Sequence, residues 1–237
     1  MTCENCGAEC RRFGKHRNGF RRFQCRQCKR TFTEPHEDLE GMYKGMEDAS
    51  RVLSMLVEGC SVSSVKRLTG IHPKTILKLL VVAGERCEKV MGRLIVNVAV
   101  SDVQCDEIWG FVKKKEAHKF PFEKDDNSIG DAYCFVAIER QKKLVLNFAL
   151  GRRDQATTDI FIEGLRAATA ANRFQLSTDG FGPYVSAITT TLSDRADFAQ
   201  LIKVYATARE GEARYSPPEV VSATPKPIMG NPDPDKC

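Results

Sequence analysis

The stretch QCDEIWGFVKKK, residues 104–115, combines a β-strand pattern with charge in an unusual way. Apolar residues at 100, 103, 108, 111 and 112 predict a buried strand, yet Asp106 and Glu107 lie in its middle and three lysines end it. Burying a carboxylate is costly unless a partner compensates its charge. The sequence therefore predicts a partner for this acidic pair.

The residues that follow predict a mixed α/β domain over residues 97–208. Strands are expected at about 100–112, 132–139, 143–150, 174–178 and 200–205. Helices are expected at about 155–170, with Asp154 as N-cap, and at about 183–192. The proline-rich segment 209–237 is expected to be an extended or disordered tail, without a helix or a central strand.

A second aspartate, Asp179, directly follows the fourth of these strands in STDGFGPY. If the first and fourth strands are neighbours, Asp106 and Asp179 converge, and without a basic partner they repel each other. A divalent cation removes that repulsion, and oxygen ligands favour Mg²⁺ or Mn²⁺. We therefore predict that Asp106 is buried beside a catalytic metal, and that Glu107, on the opposite strand face, is structural. The alternative is that Asp106 is a capped or paired structural aspartate.

The N-terminal residues 1–36 carry the spacing of a zinc ribbon. Cys3-x-x-Cys6 and Cys25-x-x-Cys28 offer four thiolates to a tetrahedral, structural Zn²⁺, and so short a segment needs a metal to fold. The alternative is four chance buried cysteines. Cys10 and His16 have no partner at ligand spacing, and we interpret them as bystanders.

The same segment is strongly basic, whereas the whole chain has a net charge of only +5. Between residues 11 and 30 there are nine bases and no acid, which favours contact with nucleic acid over a merely solvated face. The candidate contacts are Arg11, Arg12, Lys15, Arg17, Arg21 and Arg22.

Residues 45–90 have the helical period of a helix-turn-helix domain. Gly59 is expected to end the first helix, Ser61 to cap the second and Pro73 to begin the third. Lys74, Thr75 and Lys78 are candidate DNA contacts on the side of the third helix away from an apolar side predicted at Ile76, Leu77, Leu80 and Val81. The alternative is an ordinary three-helix linker domain.

The sequence also predicts where in the cell the protein is located. No run of about 18 apolar residues predicts a membrane span, and MTCENCGAEC contains no apolar signal region. Ten cysteines then favour metal binding over disulfides. We expect a cytoplasmic, nucleoid-associated protein without membrane contact.

Several motifs together resemble a known family. CENCG, RFQCRQCKRTFT, the helix-turn-helix, DEIWGFVKKK, GDAYCFVAIERQKKLVLNFALGRRD and STDGFGPY look like a transposase of a small bacterial insertion sequence. The closest likeness is to the insertion-sequence-one family, and it covers nearly all of residues 1–208. It implies a multidomain α+β protein: a small zinc ribbon, a helix-turn-helix domain and a ribonuclease-H-like mixed α/β catalytic domain.

The resemblance also implies an activity and its residues. It implies metal-dependent DNA cleavage and transfer by an aspartate, aspartate, glutamate triad, in which Asp106 and Asp179 match the first two members. Lys113, Lys114 and Lys115 would lie along the DNA backbone, or else form a solvated strand end. The implied partners are double-stranded DNA, as the inverted repeats of the element and as target, and further copies of the chain assembled on that DNA.

The third member of that triad has no counterpart in this sequence. In the family it is a glutamate on a helix after the fifth strand, within a His-Val-Glu-Arg-like motif, and no such motif occurs here. Glu210, Glu212 and Glu219 lie in a proline-flanked stretch, and we do not assign any of them as the third carboxylate. The chain is therefore expected to be a truncated or decayed copy. The alternatives are a non-catalytic DNA-binding protein that represses its own element and, less favoured, a nuclease or recombinase of the same fold.

Overall fold

A computed structural model describes residues 1–16, 19–34, 45–206 and 220–237, and all structural statements concern these residues. The chain divides into two compact units, Met1–Val90 and Met91–Cys237, and each is described by itself. No helix in the described ranges combines the length and apolar character needed to cross a membrane.

The first unit begins with a three-stranded antiparallel sheet in the order β1-β2-β3. Its strands are β1 (Cys10–Lys15), β2 (Arg21–Cys25) and β3 (Thr31–Thr33). Among the residues described, its core holds only Cys3, Cys10 and Cys25 as buried residues, and the rings of Phe23 and Phe32 stack beside them at 6.2 Å. A core this small provides little hydrophobic stabilisation.

Three helices follow: α1 (Met46–Val57), α2 (Val62–Thr69) and α3 (Pro73–Leu94), of which residues 91–94 fall in the second unit. The predicted helix ends are confirmed. Gly59 has φ +85° just after α1, the Ser61 hydroxyl accepts the Ser64 N–H at 3.1 Å, and Pro73 is the first residue of α3. Gly70, with φ +68°, ends α2 in the left-handed conformation that glycine adopts without strain.

The predicted apolar side of α3 is only partly right. Ile76 is buried as expected, but its buried companions are Leu79 and Val82, whereas the side chain of Leu77 is 50% exposed and that of Leu80 39% exposed. Because nearly every position from 76 to 82 is apolar, several helical stripes are equally hydrophobic in sequence. Packing against Ala49 and Val52 of α1 decides which stripe is buried.

The second unit is a six-stranded mixed sheet in the order β6-β5-β4-β7-β8-β9 with two helices. The β4/β5, β5/β6 and β8/β9 pairs are antiparallel, whereas β4/β7 and β7/β8 are parallel. The elements are β4 (Asp102–Val112), β5 (Gly130–Glu139), β6 (Leu144–Gly151), α4 (Gln155–Ala168), β7 (Phe174–Thr178), α5 (Pro183–Thr191), β8 (Ala196–Tyr205) and β9 (Val220–Met229). The predicted strands from β4 to β8 and both predicted helices are confirmed within a few residues.

The core of this unit lies between one face of the sheet and the two helices. Phe135 of β5, Phe161 of α4 and Tyr184 of α5 are fully buried, and their ring centroids lie 5.6–6.4 Å apart. The predicted cap of α4 is confirmed, because the Asp154 carboxylate accepts the Thr157 N–H at 2.9 Å.

The described part of the proline-rich segment, residues 220–237, begins with an extended strand, as predicted, but it belongs to the sheet and is not a separate tail. Residues 220–229 form β9 at the sheet edge, with Pro225 opposite Leu201. The following turn docks on β7, where Gln175 exchanges two hydrogen bonds with the backbone of Asp233 at 2.8 and 2.9 Å. An edge strand tolerates proline, so the composition that excludes a central strand does not exclude this one.

Candidate metal centres and nucleic-acid interface

Four cysteine sulfurs of the N-terminal unit form a compact cluster. One sulfur each from Cys3, Cys6, Cys25 and Cys28 lies within 4.8 Å of the other three. The Sγ atoms of Cys3 and Cys28 are 3.6 Å apart, and those of Cys6 and Cys25 are 3.4 Å apart. A tetrahedral zinc site with Zn–S bonds of about 2.3 Å has sulfurs about 3.8 Å apart, so the four thiols fit this ion.

Backbone amides of the two turns prepare two of these thiols, Cys3 and Cys25, for metal binding. For Cys6, an amide donor at Ala8 is outweighed by the hydrogen bond with Cys25 and by burial, which raise the pKa of its thiol. The Cys28 N–H donates to Cys25 Sγ at 3.4 Å, and amide donors from Cys28 and Gln27 lower the pKa of Cys25 to about 6. The N–H of Asn5 likewise lowers the pKa of Cys3. Since zinc binds the thiolate, both shifts favour the metal-bound form.

Cys10 is the buried neighbour of this cluster. Burial raises the pKa of its thiol, which donates to the Ala8 carbonyl at 3.6 Å. A thiol that stays protonated is a poor ligand. The cluster that fits a metal contains neither Cys10 nor His16, consistent with their interpretation as bystanders.

Three carboxylates meet where β4 and β7 separate. The ladder between these strands ends at Gln104 and Ser177, two residues before Asp106 and Asp179. One oxygen each from Asp106, Glu107 and Asp179 lies within 4.8 Å of the other two. The two aspartates thus lie together as the strand order predicts, at an edge of β4 that β7 leaves open.

The roles expected of the two acids on β4 are wrong in part. Asp106, predicted to be buried, is exposed, and its Oδ1 accepts the Glu107 N–H at 2.8 Å. Glu107 is the buried acid: its side chain is 3% exposed, and its Oε1 is buried without a hydrogen-bond partner in the structure. Although strand alternation directs the two side chains to opposite faces, the open edge lets their carboxylates approach the same point.

Arg153 is the basic partner that the sequence interpretation missed. Its Nε donates to Glu107 Oε2 at 2.9 Å, and its Nη2 donates to Asp179 Oδ2 at 2.9 Å. The guanidinium carbon lies 4.0 Å from the centroid of the Phe181 ring. Burial lowers the pKa of Arg153, but the hydrogen bond and charge of Glu107 and the charge of Asp179 outweigh it and raise the pKa. The only sequence signal was the pair Arg152-Arg153 just before the cap of α4.

A cleft of 420 Å³ opens beside the three carboxylates. Its walls include Ser177, Lys203 and Cys237 besides the acids themselves. Close behind lies the Tyr184 hydroxyl, whose pKa is raised by burial, by electrostatic interaction with Cys105 and by a hydrogen bond with Glu107. An oxygen-lined site that is open on one side is suited to a hard divalent cation such as Mg²⁺ or Mn²⁺.

The basic residues predicted to contact DNA lie on the surface of the N-terminal sheet. Arg11, Arg12, Lys15 and Arg21 are exposed, Arg22 is half-buried, and Arg17 lies outside the described residues. The guanidinium carbons of Arg11 on β1 and Arg22 on β2 lie 5.8 and 5.6 Å from the centroid of the Phe13 ring. On α3, Lys74 and Lys78 are exposed and Thr75 is half-buried within the first two turns.

The three lysines that end β4 have different surroundings. Lys114 Nζ pairs with Glu123 at 2.8 Å and lies 4.3 Å from the Phe120 ring centroid, so it stabilises the loop that follows. Lys115 Nζ lies 4.9 Å from the centroid of the Trp109 ring, which is 44% exposed. Lys113 is exposed and has φ +61°. Lys113 and Lys115 are thus the better placed of the three for an external partner.

A scan of the chain against models of known protein families finds no match, and a search of characterised proteins finds none either. Glu210, Glu212 and Glu219, which the sequence places near the position of a third carboxylate, lie outside the described residues.

Proposed function

We propose that this protein is a DNA transposase that binds the ends of its element and performs metal-dependent cleavage and transfer of DNA strands. The observation that carries the proposal is the meeting of Asp106 and Asp179 oxygens at the open edge of β4. Two acids 73 residues apart in sequence have no need to meet in a structural role, since each could face solvent alone. The cleft beside them gives a phosphodiester access.

The topology of the second unit supports a ribonuclease-H-like assignment. Three antiparallel strands, β6-β5-β4, are followed by parallel β7 and β8, with α4 and α5 on one face. The first aspartate lies within the central strand β4 and the second directly after its parallel neighbour β7. This is the arrangement that the resemblance to insertion-sequence transposases implies for the first two members of the triad.

The chemistry follows from the oxygens at this edge. Divalent cations, when bound, activate a water or a DNA hydroxyl for attack on a phosphodiester and stabilise the oxygen that leaves. Asp106 and Asp179 supply negative ligand oxygens, and the Phe181 N–H, which donates to Asp179 Oδ1 at 2.9 Å, holds the second carboxylate in place. Lys203 in the cleft wall adds positive charge beside this centre, and Lys115, nine residues beyond Asp106 in sequence, would contact the phosphate backbone farther along.

The first unit would supply binding to double-stranded DNA. Zinc on the four cysteines would hold the small sheet that presents Arg11, Arg12, Lys15, Arg21 and Arg22, and α3 would present Lys74, Thr75 and Lys78 to a groove or a phosphate. We further propose that the DNA partners are the inverted repeats of an element and a target duplex. Several copies of the protein would assemble on this DNA, at the nucleoid.

A second candidate, a zinc-containing DNA-binding protein without catalysis, is favoured by one observation. Arg153 already pairs with Glu107 and Asp179, so the acidic centre has a counter-cation of its own. In that case the same acids would be a structural ion-pair network, and the protein would act by occupying DNA, for example as a repressor of its own element.

The two candidates differ in a cleavage assay on the DNA that flanks the gene. The full chain is incubated with Mg²⁺ or Mn²⁺ and labelled linear duplexes that contain the genomic sequence on each side. We expect nicking or joining by the wild type and by the control Asp125→Asn, an exposed acid outside the cleft, and none by Asp106→Asn or Asp179→Asn with DNA affinity retained. Binding without cleavage by every variant would support the repressor instead.

A further inference from the structure

We propose that Glu107 is the third carboxylate of the acidic centre, a cation ligand beside Asp106 and Asp179, and that Arg153 is a built-in counter-cation which the incoming metal displaces. The inference deepens the proposed function and rests on it for the role of the metal. It replaces the expectation that the third ligand lies beyond β8 with an acid adjacent in sequence to the first.

The first support is the state of Glu107 itself. Its side chain is almost wholly buried, and its Oε1 makes no hydrogen bond of ordinary distance and angle, although the buried Tyr184 hydroxyl, itself unpaired, interacts with this carboxylate. A buried carboxylate oxygen without a partner is costly, and a carboxylate with a purely structural role is normally satisfied on both oxygens. An oxygen of Glu107 lies within 4.8 Å of oxygens from both aspartates, so one cation can satisfy all three side chains.

The second support is the position of Arg153. Two different nitrogens of one guanidinium bridge Glu107 and Asp179, so a positive charge already lies between two of the acids. One guanidinium on three ionised carboxylates leaves a net charge of −2. A divalent cation in its place leaves a net charge of −1, so it compensates the site better than a monovalent arginine does.

Arg153 can move away from the two carboxylates without leaving its charge buried and unpaired. Its side chain is 36% exposed, and the Phe181 ring lies 4.0 Å below its guanidinium. When a cation takes over Glu107 and Asp179, the guanidinium can therefore turn to solvent or to a DNA phosphate while its charge stays hydrated or paired. Exchange of one cation for another keeps the buried Glu107 compensated throughout.

The inference predicts opposite effects for two substitutions. Glu107→Gln removes a ligand and should weaken binding of a divalent cation at least about tenfold. Arg153→Gln removes a competing positive charge and should strengthen it. If Arg153 served only to position Asp179, the second substitution would weaken cation binding as well.

The test measures Mn²⁺ affinity by electron paramagnetic resonance on the full-length, zinc-loaded protein without DNA. Glu139→Gln is the matched control, because Glu139 is likewise a buried glutamate of the same sheet, on β5, outside the cleft. We expect Asp106→Asn and Glu107→Gln to weaken Mn²⁺ binding, Arg153→Gln to tighten it and Glu139→Gln to leave it unchanged. Unfolding midpoints identify any variant that fails to fold, and for Glu107 the substitution Glu107→Asp, which keeps the charge, should restore part of the affinity.

Three results would overturn the inference: no Mn²⁺ binding by the wild type, wild-type affinity in folded Glu107→Gln, or weaker binding in Arg153→Gln. A failure of the proposed function has a different signature. The wild type would then bind Mn²⁺ through the three carboxylates and would still not cleave or join DNA.

Discussion

The substitution Cys25→Ser should unfold the N-terminal sheet and leave the α/β unit intact. Cys25 is fully buried, and its Sγ lies 3.4 Å from that of Cys6 and accepts the Cys28 N–H. Serine keeps the size of the side chain but removes the thiolate that zinc requires. The expected loss is therefore a loss of metal and not of packing volume.

The magnitude follows from the small core of this sheet. A structural zinc contributes about 10–16 kcal/mol to the folding of small zinc domains, so an equal share for each of four thiolates is about 3 kcal/mol, or about a hundredfold in zinc affinity. Against this, Phe23 and Phe32 are only half-buried and together contribute less than about 5 kcal/mol. Two rings cannot order more than 20 residues without the metal.

The assay combines zinc content with hydrogen exchange of peptic fragments. In Cys25→Ser we expect zinc well below one equivalent and fast exchange across β1 to β3, with exchange in β4, β5 and β7 unchanged. Cys10→Ser is the matched control, because Cys10 is a buried cysteine of the same core that lies outside the four-sulfur cluster. Persistent protection of β1 to β3 in zinc-free Cys25→Ser, or equal zinc loss in Cys10→Ser, would refute the reasoning.

Three further predictions concern the second unit. Phe161→Ala removes a fully buried ring and should lower the free energy of unfolding by about 3–5 kcal/mol in a denaturant titration. Ile160→Ala, on the exposed side of α4, should change that free energy by less than about 1 kcal/mol. Equal losses in the two variants would contradict the packing described. Hydrogen bonds from Arg166 and then Arg195 hold the pKa of Asp194 well below its usual value of 3.8, so the carboxylate stabilises the fold fully above that pH and loses this effect as the pH falls further. The difference in unfolding free energy between wild type and Asp194→Asn should be full at about pH 7 and should narrow below about pH 4. A difference that widened in acid would exclude these hydrogen bonds as its cause. If Lys115 contacts one phosphate, Lys115→Gln should reduce by about one the slope of log DNA affinity against log salt concentration. Fluorescence anisotropy with duplex DNA measures this slope, and Lys142→Gln is the control. An unchanged slope in Lys115→Gln would exclude Lys115 from the interface.

Local signals were enough to predict most elements of the second unit. Strands β4 to β8 follow from runs of apolar and β-branched residues, and α4 and α5 begin where an N-cap aspartate and Pro183 place them. The meeting of Asp106 and Asp179 followed from one assumption about neighbouring strands. Each of these inferences depends on a short stretch of sequence and on few long-range contacts.

The features that sequence did not predict depend on contacts between distant residues. Glu107 and Arg153 are 46 residues apart and Arg153 and Asp179 are 26 apart, and no periodicity links an arginine before a helix to acids on two strands. The buried stripe of α3 was ambiguous because a continuous apolar run contains several stripes. Strand β9 was missed because proline excludes a central position but permits an edge, and sequence does not show which position a strand takes.

The place of β9 has a consequence for how copies of this protein can associate. It is the outermost strand on its side of the sheet, and Pro225 and Pro227, two residues apart, carry no amide hydrogen. An incoming strand would find those donors missing, so this side of the sheet resists growth by strand addition and the aggregation that such growth begins. Copies of this protein that associate should therefore meet through surfaces other than this edge.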